Sequence, residues 1–241
     1  MLVQDIMVRD VVTISEEDTL EQAALLLQRG RFRHLPVVKP IPQLEESAPR
    51  RLTYPPPRPQ VAVIAILSDR DLPGGRSGAA LLEELGGRLV HEVMRRPVIT
   101  ISPETPIEYA ATLMADNAIG CLPVVADEAH GRLVGIITES DLFHALVRLV
   151  GVQEPSTRLR LRLHHGDPAE LAQALTIIAQ HGGRLAGLLA EPVDTAGRWP
   201  VMLRVRTIYP EPMLRDLEAA GIVIDQPKAE KEQEHEPSSE Q

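Results

Sequence analysis

The sequence predicts an α+β protein in which one structural unit occurs twice and a separate antiparallel layer follows. Three observations carry this. First, Val12-Thr13-Ile14-Ser15 recurs as Ile99-Thr100-Ile101-Ser102, and Leu35-Pro36-Val37-Val38 recurs unchanged as Leu122-Pro123-Val124-Val125. Second, Ile6-Met7 returns as Val93-Met94 and Gly30 is matched by Asn117, so that all four pairs share an offset of 87 residues, while Ser68-x-x-Asp71 and Thr138-x-x-Asp141 are offset by 70. A fixed period marks a duplicated unit. Third, beyond Ser156 the pattern changes to a strand-helix-strand-strand-helix-strand order, the pattern of an antiparallel sheet with two helices on one face.

Each repeat reads strand, helix, strand, strand, helix. In the first, Val11–Ile14 is a short strand, and Leu20–Arg29 is a helix with apolar residues at 20, 23, 24 and 27, the 3.6-residue period. Gly30 is expected to end that helix in the left-handed conformation, with Asn117 doing so in the second copy. Thr105 and Pro106 are expected as N-cap and first residue of the second helix. Strands follow at His34–Val38 and Val61–Leu67, matched by Cys121–Ala126 and Arg132–Thr138. The second hairpin turns tightly over Asp127–Gly131. In the first, Lys39–Gln60 intervenes with the run Pro55-Pro56-Pro57-Arg58-Pro59, which reads as an extended loop because proline lacks a ladder donor. This insertion changes the offset from 87 to 70. A helix is expected near Ala79–Leu85, and another from Thr138 to Val150.

The C-terminal part has strands at Arg158–His164, Arg184–Glu191, Pro200–Ile208 and Ile222–Asp225. Helices span Ala169–His181, capped by Asp167 with Pro168 first, and Glu211–Ala220. The expected domains are 1–75 (with the insertion at 39–60), 76–150, 157–226 and a disordered acidic tail, 227–241.

A net charge of −9 argues against a nucleic-acid surface, which needs clustered Lys and Arg. One Cys excludes an intramolecular disulfide and a Cys-based zinc site. His164 and His165, adjacent on a strand, point to opposite faces and make a poor metal pair. No apolar run approaches the ~18 residues that span a bilayer, and the first ten residues do not read as a signal peptide. The expectation is a cytoplasmic protein without metal, membrane or nucleic-acid partner.

The paired V-V-T-I and V-I-T-I segments, the paired L-P-V-V strands and the closing A-I-L-S-D-R-D and G-I-I-T-E-S-D resemble a tandem pair of CBS domains, a Bateman module. Residues 157–226 look like an ACT domain, of ferredoxin-like βαββαβ fold. The combination is similar to AcuB-type acetoin utilization proteins. The resemblance implies a pseudo-twofold CBS pair with two equivalent clefts, a homodimer, no catalytic function, no required cofactor, and a regulatory adenine nucleotide (AMP, ADP or ATP) or S-adenosylmethionine. It also implies a regulated partner protein that the sequence does not identify.

The residues suit such a ligand. Asp71 or Asp141 can accept hydrogen bonds from ribose hydroxyls. Ser68 and Thr138 are placed at strand-to-helix junctions, where free N–H groups favour phosphate. Val12, Ile99, Val37 and Val124, beside Pro36 and Pro123 of the paired strands, would line the base, and backbone around Thr13 and Thr100 would read its edge. The same two tetrapeptides are also capping boxes, so both readings stand. Arg33 and His34 precede the first Leu-Pro-Val-Val, where the second copy has Gly120 and Cys121. The resemblance marks them, with Arg70, for phosphate; as solvated loop charges they would do nothing. In the ACT-like part Ala169 follows Asp167-Pro168 where the family's loop has glycine, which favours dimerisation over amino-acid binding. A scaffold with empty clefts, and an enzyme of acetoin metabolism, are the competing readings.

Overall fold

The computed structural model describes residues 1–41, 60–73, 85–127, 129–153, 155–164 and 166–225. Most of the proline-rich insertion, the linker helix expected near Ala79–Leu85 apart from Leu85, His165 and the tail after Asp225 lie outside the described residues. The chain divides into two compact units, Met1–Phe143 and His144–Gln241.

In the first unit, β1 (Ile14–Ser15), α1 (Leu20–Gly30), β2 (His34–Pro40) and β3 (Val61–Ser68) form the first copy. β1 runs parallel to β2, which pairs antiparallel with β3. The second copy has α2 (Ile107–Asn117), β4 (Cys121–Val125), β5 (Leu133–Thr138) and the first residues of α3 (Glu139–Val150), the helix in which the first unit ends. Its β4–β5 hairpin is antiparallel, and a parallel bridge from Ile101 to Val124 stands where Ile14 pairs with Val37 in the first copy. Both hairpins shift register at the same place, Val37/Val38 and Val124/Val125.

α1 forms because Leu20, Ala23 and Leu27 bury one stripe and Thr19 caps it reciprocally with Gln22, a capping box with glutamine. Its end departs from expectation. Gly30 is the last helical residue, and Arg31 adopts the left-handed conformation at φ 53°. Gly30 is small for another reason: a Cβ there would lie 2.0 Å from the Phe32 ring. Likewise Ala118, not Asn117, is left-handed after α2, and the Asn117 amide donates back to the Leu113 carbonyl at 2.8 Å. At the start of α2 the N-cap is Pro106 rather than Thr105. The chain's first residues supply the missing partner, since Ile107 N–H donates to Met1 O at 3.2 Å.

That contact belongs to an exchange. Val3 and Met7 are enclosed in the core of the second copy, with Ile101, Ala110, Met114, Leu122, Val124 and Ile137. Leu85 and Val90, just ahead of the second copy, are enclosed in the core of the first, with Leu20, Leu27, Leu35 and Leu67. The backbone follows suit. Val8 and Ile136 exchange both hydrogen bonds at 2.9 Å, and Arg95 and Ile66 exchange theirs at 3.0 and 3.4 Å. Gly135 allows the first approach, because a Cβ there would meet Met7 Sδ at 2.7 Å and Val8 O at 3.1 Å. Each copy's leading segment therefore completes the other copy.

The second unit has β6 (Thr157–His164), α4 (Pro168–Gln180), β7 (Arg184–Ala190), β8 (Arg198–Arg206), α5 (Pro210–Ala219) and β9 (Val223–Ile224). Its sheet order is β7-β8-β6-β9 with every pair antiparallel. Alternate residues Leu159, Leu161 and Leu163 of β6 face a core closed by Ile178, Leu203, Met213 and Leu217. Asp167 caps α4 through Ala169 N–H at 2.9 Å, with Pro168 in its first turn.

Leu122 is fully buried in the second core. Leu122→Ala should cost about 2–5 kcal/mol by cavity formation, read as a lowered denaturant midpoint for the intact chain.

Candidate functional site

The start of β2 and the end of β5 both border one cavity of about 300 Å³ in the first unit. Residues from both copies line it. Val8, Val12, Arg31, Phe32, Arg33, His34 and Pro36 come from the first copy or its leading segment, and Gly120, Ile136, Thr138, Glu139, Ser140 and Asp141 from the second. Exchange of the leading segments brings Val8 onto Ile136 at this wall.

Asp141 is held by one of its oxygens. Thr138 N–H and Oγ1 both donate to Asp141 Oδ2, at 2.8 and 2.7 Å, and Asp141 N–H returns to Thr138 Oγ1 at 3.4 Å. Among the described residues, Oδ1 has no hydrogen-bond partner. The capping box and a ligand contact are thus compatible: one oxygen fixes the start of α3 and the other is left for a guest. The arrangement offers an acceptor oxygen and a helix N-terminus beside the apolar surfaces of Val8, Val12, Pro36 and Ile136, a composition suited to a small ligand.

The charges at the cavity have both signs. Arg31 and Arg33 face Asp10, Glu139 and Asp141 across the lining. Arg33 Nε also lies 3.8 Å from Asp69 Oδ2, whose side chain is buried. His34 is held below its ordinary value of 6.5, first by burial and then by the Arg33 charge, against the upward pull of Asp69 and Glu139. Gly120 makes room for this cluster, since a Cβ there would come within 3.2 Å of His34 Cε1 and 3.3 Å of Glu139 Oε2. At the position matching His34, burial pushes the Cys121 thiol up to about 12, and Glu139 adds to the shift.

The sequence-derived site residues divide. Val12, Arg33, His34, Pro36, Thr138 and Asp141 meet at the cavity. Val37 and Val124 do not: both are wholly buried in the cores of their copies, against Ile14 and Ile101. Strand alternation explains it, because Pro36 turned to the cavity obliges Val37 to turn away. Ser68 and Asp71 make the same box as their counterparts, with Ser68 N–H and Oγ donating to Asp71 Oδ2 at 2.8 and 2.7 Å. They lie away from the cavity, where Arg95 meets Asp71, and Ile99, Thr100 and Pro123 do not line the cavity either. After Ser68 the described residues form turns, so its strand-to-helix junction is not among them. Arg70 is exposed and Thr13 is half-buried, and neither lines the cavity. Sequence reasoning pointed to Arg31 with Arg33 and His34, but missed Val8, Asp10, Val11, Phe32, Gly120, Ile136, Glu139 and Ser140. The offset signalled Gly120, opposite Arg33, but not that Val8 crosses to the other copy.

Among the described residues no group of three or more His, Cys, Asp or Glu is placed to hold a metal ion. None of the described helices is long and apolar enough to cross a membrane.

Two predictions follow from the titrating groups. His34 is lowered in the folded state, so below about pH 6.5 the unfolded chain binds a proton that the folded chain refuses. Stability should fall as pH drops below 6.5 until the folded value is passed, and His34→Gln should remove that part of the slope in urea titrations. Cys121 is a buried thiol near neutral pH, so iodoacetamide should leave it unmodified in the folded chain and alkylate it in denaturant.

Residues 3–41 and 90–148 match the family model of the CBS domain, and the first unit carries a tandem CBS domain pair. The chain is 28% identical over 158 residues to an inosine-5'-monophosphate dehydrogenase of Korarchaeum cryptofilum, covering 66% of this chain but only 27% of that enzyme. It is 28% identical over 164 residues to a CBS domain-containing protein of Dictyostelium discoideum, covering 65% of this chain and 99% of the other. Among solved structures, a CBS domain pair in complex with 5'-methylthioadenosine and S-adenosyl-L-methionine is 24% identical, with a TM-score of 0.45, over 64% of this chain and 98% of the other.

Proposed function

We propose that the chain is a non-catalytic regulator that takes an adenosyl ligand at Asp141, either an adenine nucleotide (AMP, ADP or ATP) or S-adenosylmethionine. One observation carries this reading: Asp141 is fixed through Oδ2 while Oδ1 remains open beside an apolar cavity of about 300 Å³. A ribose diol needs such an acceptor, already oriented, and an adenine ring needs the apolar walls. In this reading the diol bonds Asp141 Oδ1, the ring lies among Val8, Val12, Pro36 and Ile136, and a phosphate reaches Arg33. The mixed charges of the lining also suit a ligand with a cationic centre, which is why S-adenosylmethionine stays in the panel. Binding regulates by favouring one arrangement of the CBS pair or of two subunits over another, since equal affinity for both would shift nothing. The C-terminal unit, with the βαββαβ order of an ACT domain, would pair two chains. Its strand β7 is an edge of the sheet with Leu185, Leu188 and Leu189 exposed, the kind of edge that pairing covers.

Calorimetric titration with adenosine, AMP, ATP and S-adenosylmethionine tests the reading. At least one should bind, and Asp141→Asn, which keeps an acceptor for the cap, should weaken adenosine and AMP alike by about tenfold or more. Arg33→Ala should weaken AMP more than adenosine, and equal losses would remove Arg33 from phosphate binding. Failure of every adenosyl compound at millimolar concentration overturns the proposal.

A further inference from the structure

The two clefts share a skeleton but not a wall. Val8 and Arg95 occupy equivalent positions, 87 residues apart. Each sits in a leading segment that has crossed to the other copy. Val8 exchanges backbone hydrogen bonds with Ile136, two residues before Thr138, and Arg95 exchanges them with Ile66, two residues before Ser68. The side chain at this position therefore overhangs the Ser/Thr-x-x-Asp box of its cleft. In the first cleft it is an apolar isopropyl group lining the cavity. In the second it is a guanidinium, and Arg95 Nε donates to Asp71 Oδ1 at 2.6 Å.

Asp71 is consequently spent. Its Oδ2 takes Ser68 N–H and Oγ, and its Oδ1 takes Arg95, so the Asp71 side chain is only 5% exposed. The oxygen that corresponds to the open one of Asp141 is the oxygen that Arg95 covers. A ribose hydroxyl arriving at Asp71 must displace a guanidinium that brings a full opposite charge, and it offers in return a donor that carries none. Arg95 itself is 73% exposed, so it is not held in place by packing, and removing it leaves no cavity in a core.

We infer that Arg95 closes the second cleft to the ribose of an adenosyl ligand by occupying Asp71, and that this one side chain leaves the CBS pair with a single adenosyl site. The inference rests on the adenosyl reading of the Asp141 cleft. It is separable from it, because Arg95 lies in the other cleft. Its reversal is written in the chain, since valine serves at the equivalent position 8.

The test is the stoichiometry of adenosine and AMP binding to the full-length chain and to Arg95→Val, measured by calorimetry, with Arg95→Lys and Arg95→Val/Asp71→Asn alongside. The intact chain should bind about one equivalent, and Arg95→Val about two, the second lost again in the double variant. Arg95→Lys should stay near one, because an ammonium can still cover the carboxylate. Circular dichroism melting verifies that each variant is folded. One equivalent in both the intact chain and folded Arg95→Val, or two in the intact chain, overturns the inference and leaves the Asp141 site standing. A second equivalent that persists in the double variant also overturns it, since the new site would not use Asp71. No binding by any of the proteins overturns this inference and the adenosyl reading together.

Discussion

The first unit depends on a reciprocal docking. Residues 1–10 complete the second copy and residues 85–97 complete the first, through cores that enclose Val3 and Met7 on one side and Leu85 and Val90 on the other. Neither copy could bury its apolar surface without the other copy's leading segment, because Val3 is enclosed in the second core and Val90 in the first. The exchange also decides the composition of the clefts. The cavity at the end of the second hairpin is walled by the first copy's leading segment, so it has contributions from both copies.

From that arrangement follows an asymmetry between the two boxes at the side chain that overhangs each of them. The boxes Ser68–Asp71 and Thr138–Asp141 have the same hydrogen-bond distances. What differs is the side chain delivered across them, Val8 in one case and Arg95 in the other. Duplication conserves the frame because cores and caps require it. A position that overhangs a cleft is under no such requirement, and one substitution there converts an open carboxylate oxygen into a covered one.

The fold was largely legible in the sequence because its signals are local and periodic. The Leu-Pro-Val-Val strands, the Thr19 box and the Asp167-Pro168 helix start stand where the residue patterns put them. Helix ends were less legible. Gly30 invited a left-handed assignment from its lack of a Cβ, yet the space it leaves is filled by the Phe32 ring, and Arg31 takes the positive φ. Pro106 replaced Thr105 as cap because a segment over a hundred residues away supplies the acceptor for Ile107 N–H. The site was half legible. Repeat comparison identified the acid boxes, but it could not tell which box each copy's Arg33 or Val8 would meet. An offset relates equivalent positions and is silent about exchange. Val37 and Val124 were assigned to the site by motif membership alone, and strand alternation sends them to the core.

The same asymmetry extends to the centre of the pair, where the copies meet at His34 and Gly120. The equivalent of Arg33 is Gly120 and the equivalent of His34 is Cys121. A Cβ at Gly120 would press within 3.2 Å of His34 and 3.3 Å of Glu139, so the bulk on the first copy is eased by its absence on the second. Burial then keeps His34 below its ordinary value and keeps Cys121 a thiol. The cavity's charged lining residues are Asp10, Arg31, Arg33, Glu139 and Asp141, set beside the apolar Val8, Val12, Pro36 and Ile136. A cavity with apolar and charged lining side by side favours a molecule that has both an apolar face and polar groups, because the apolar walls contribute burial while exposed charges are screened by water.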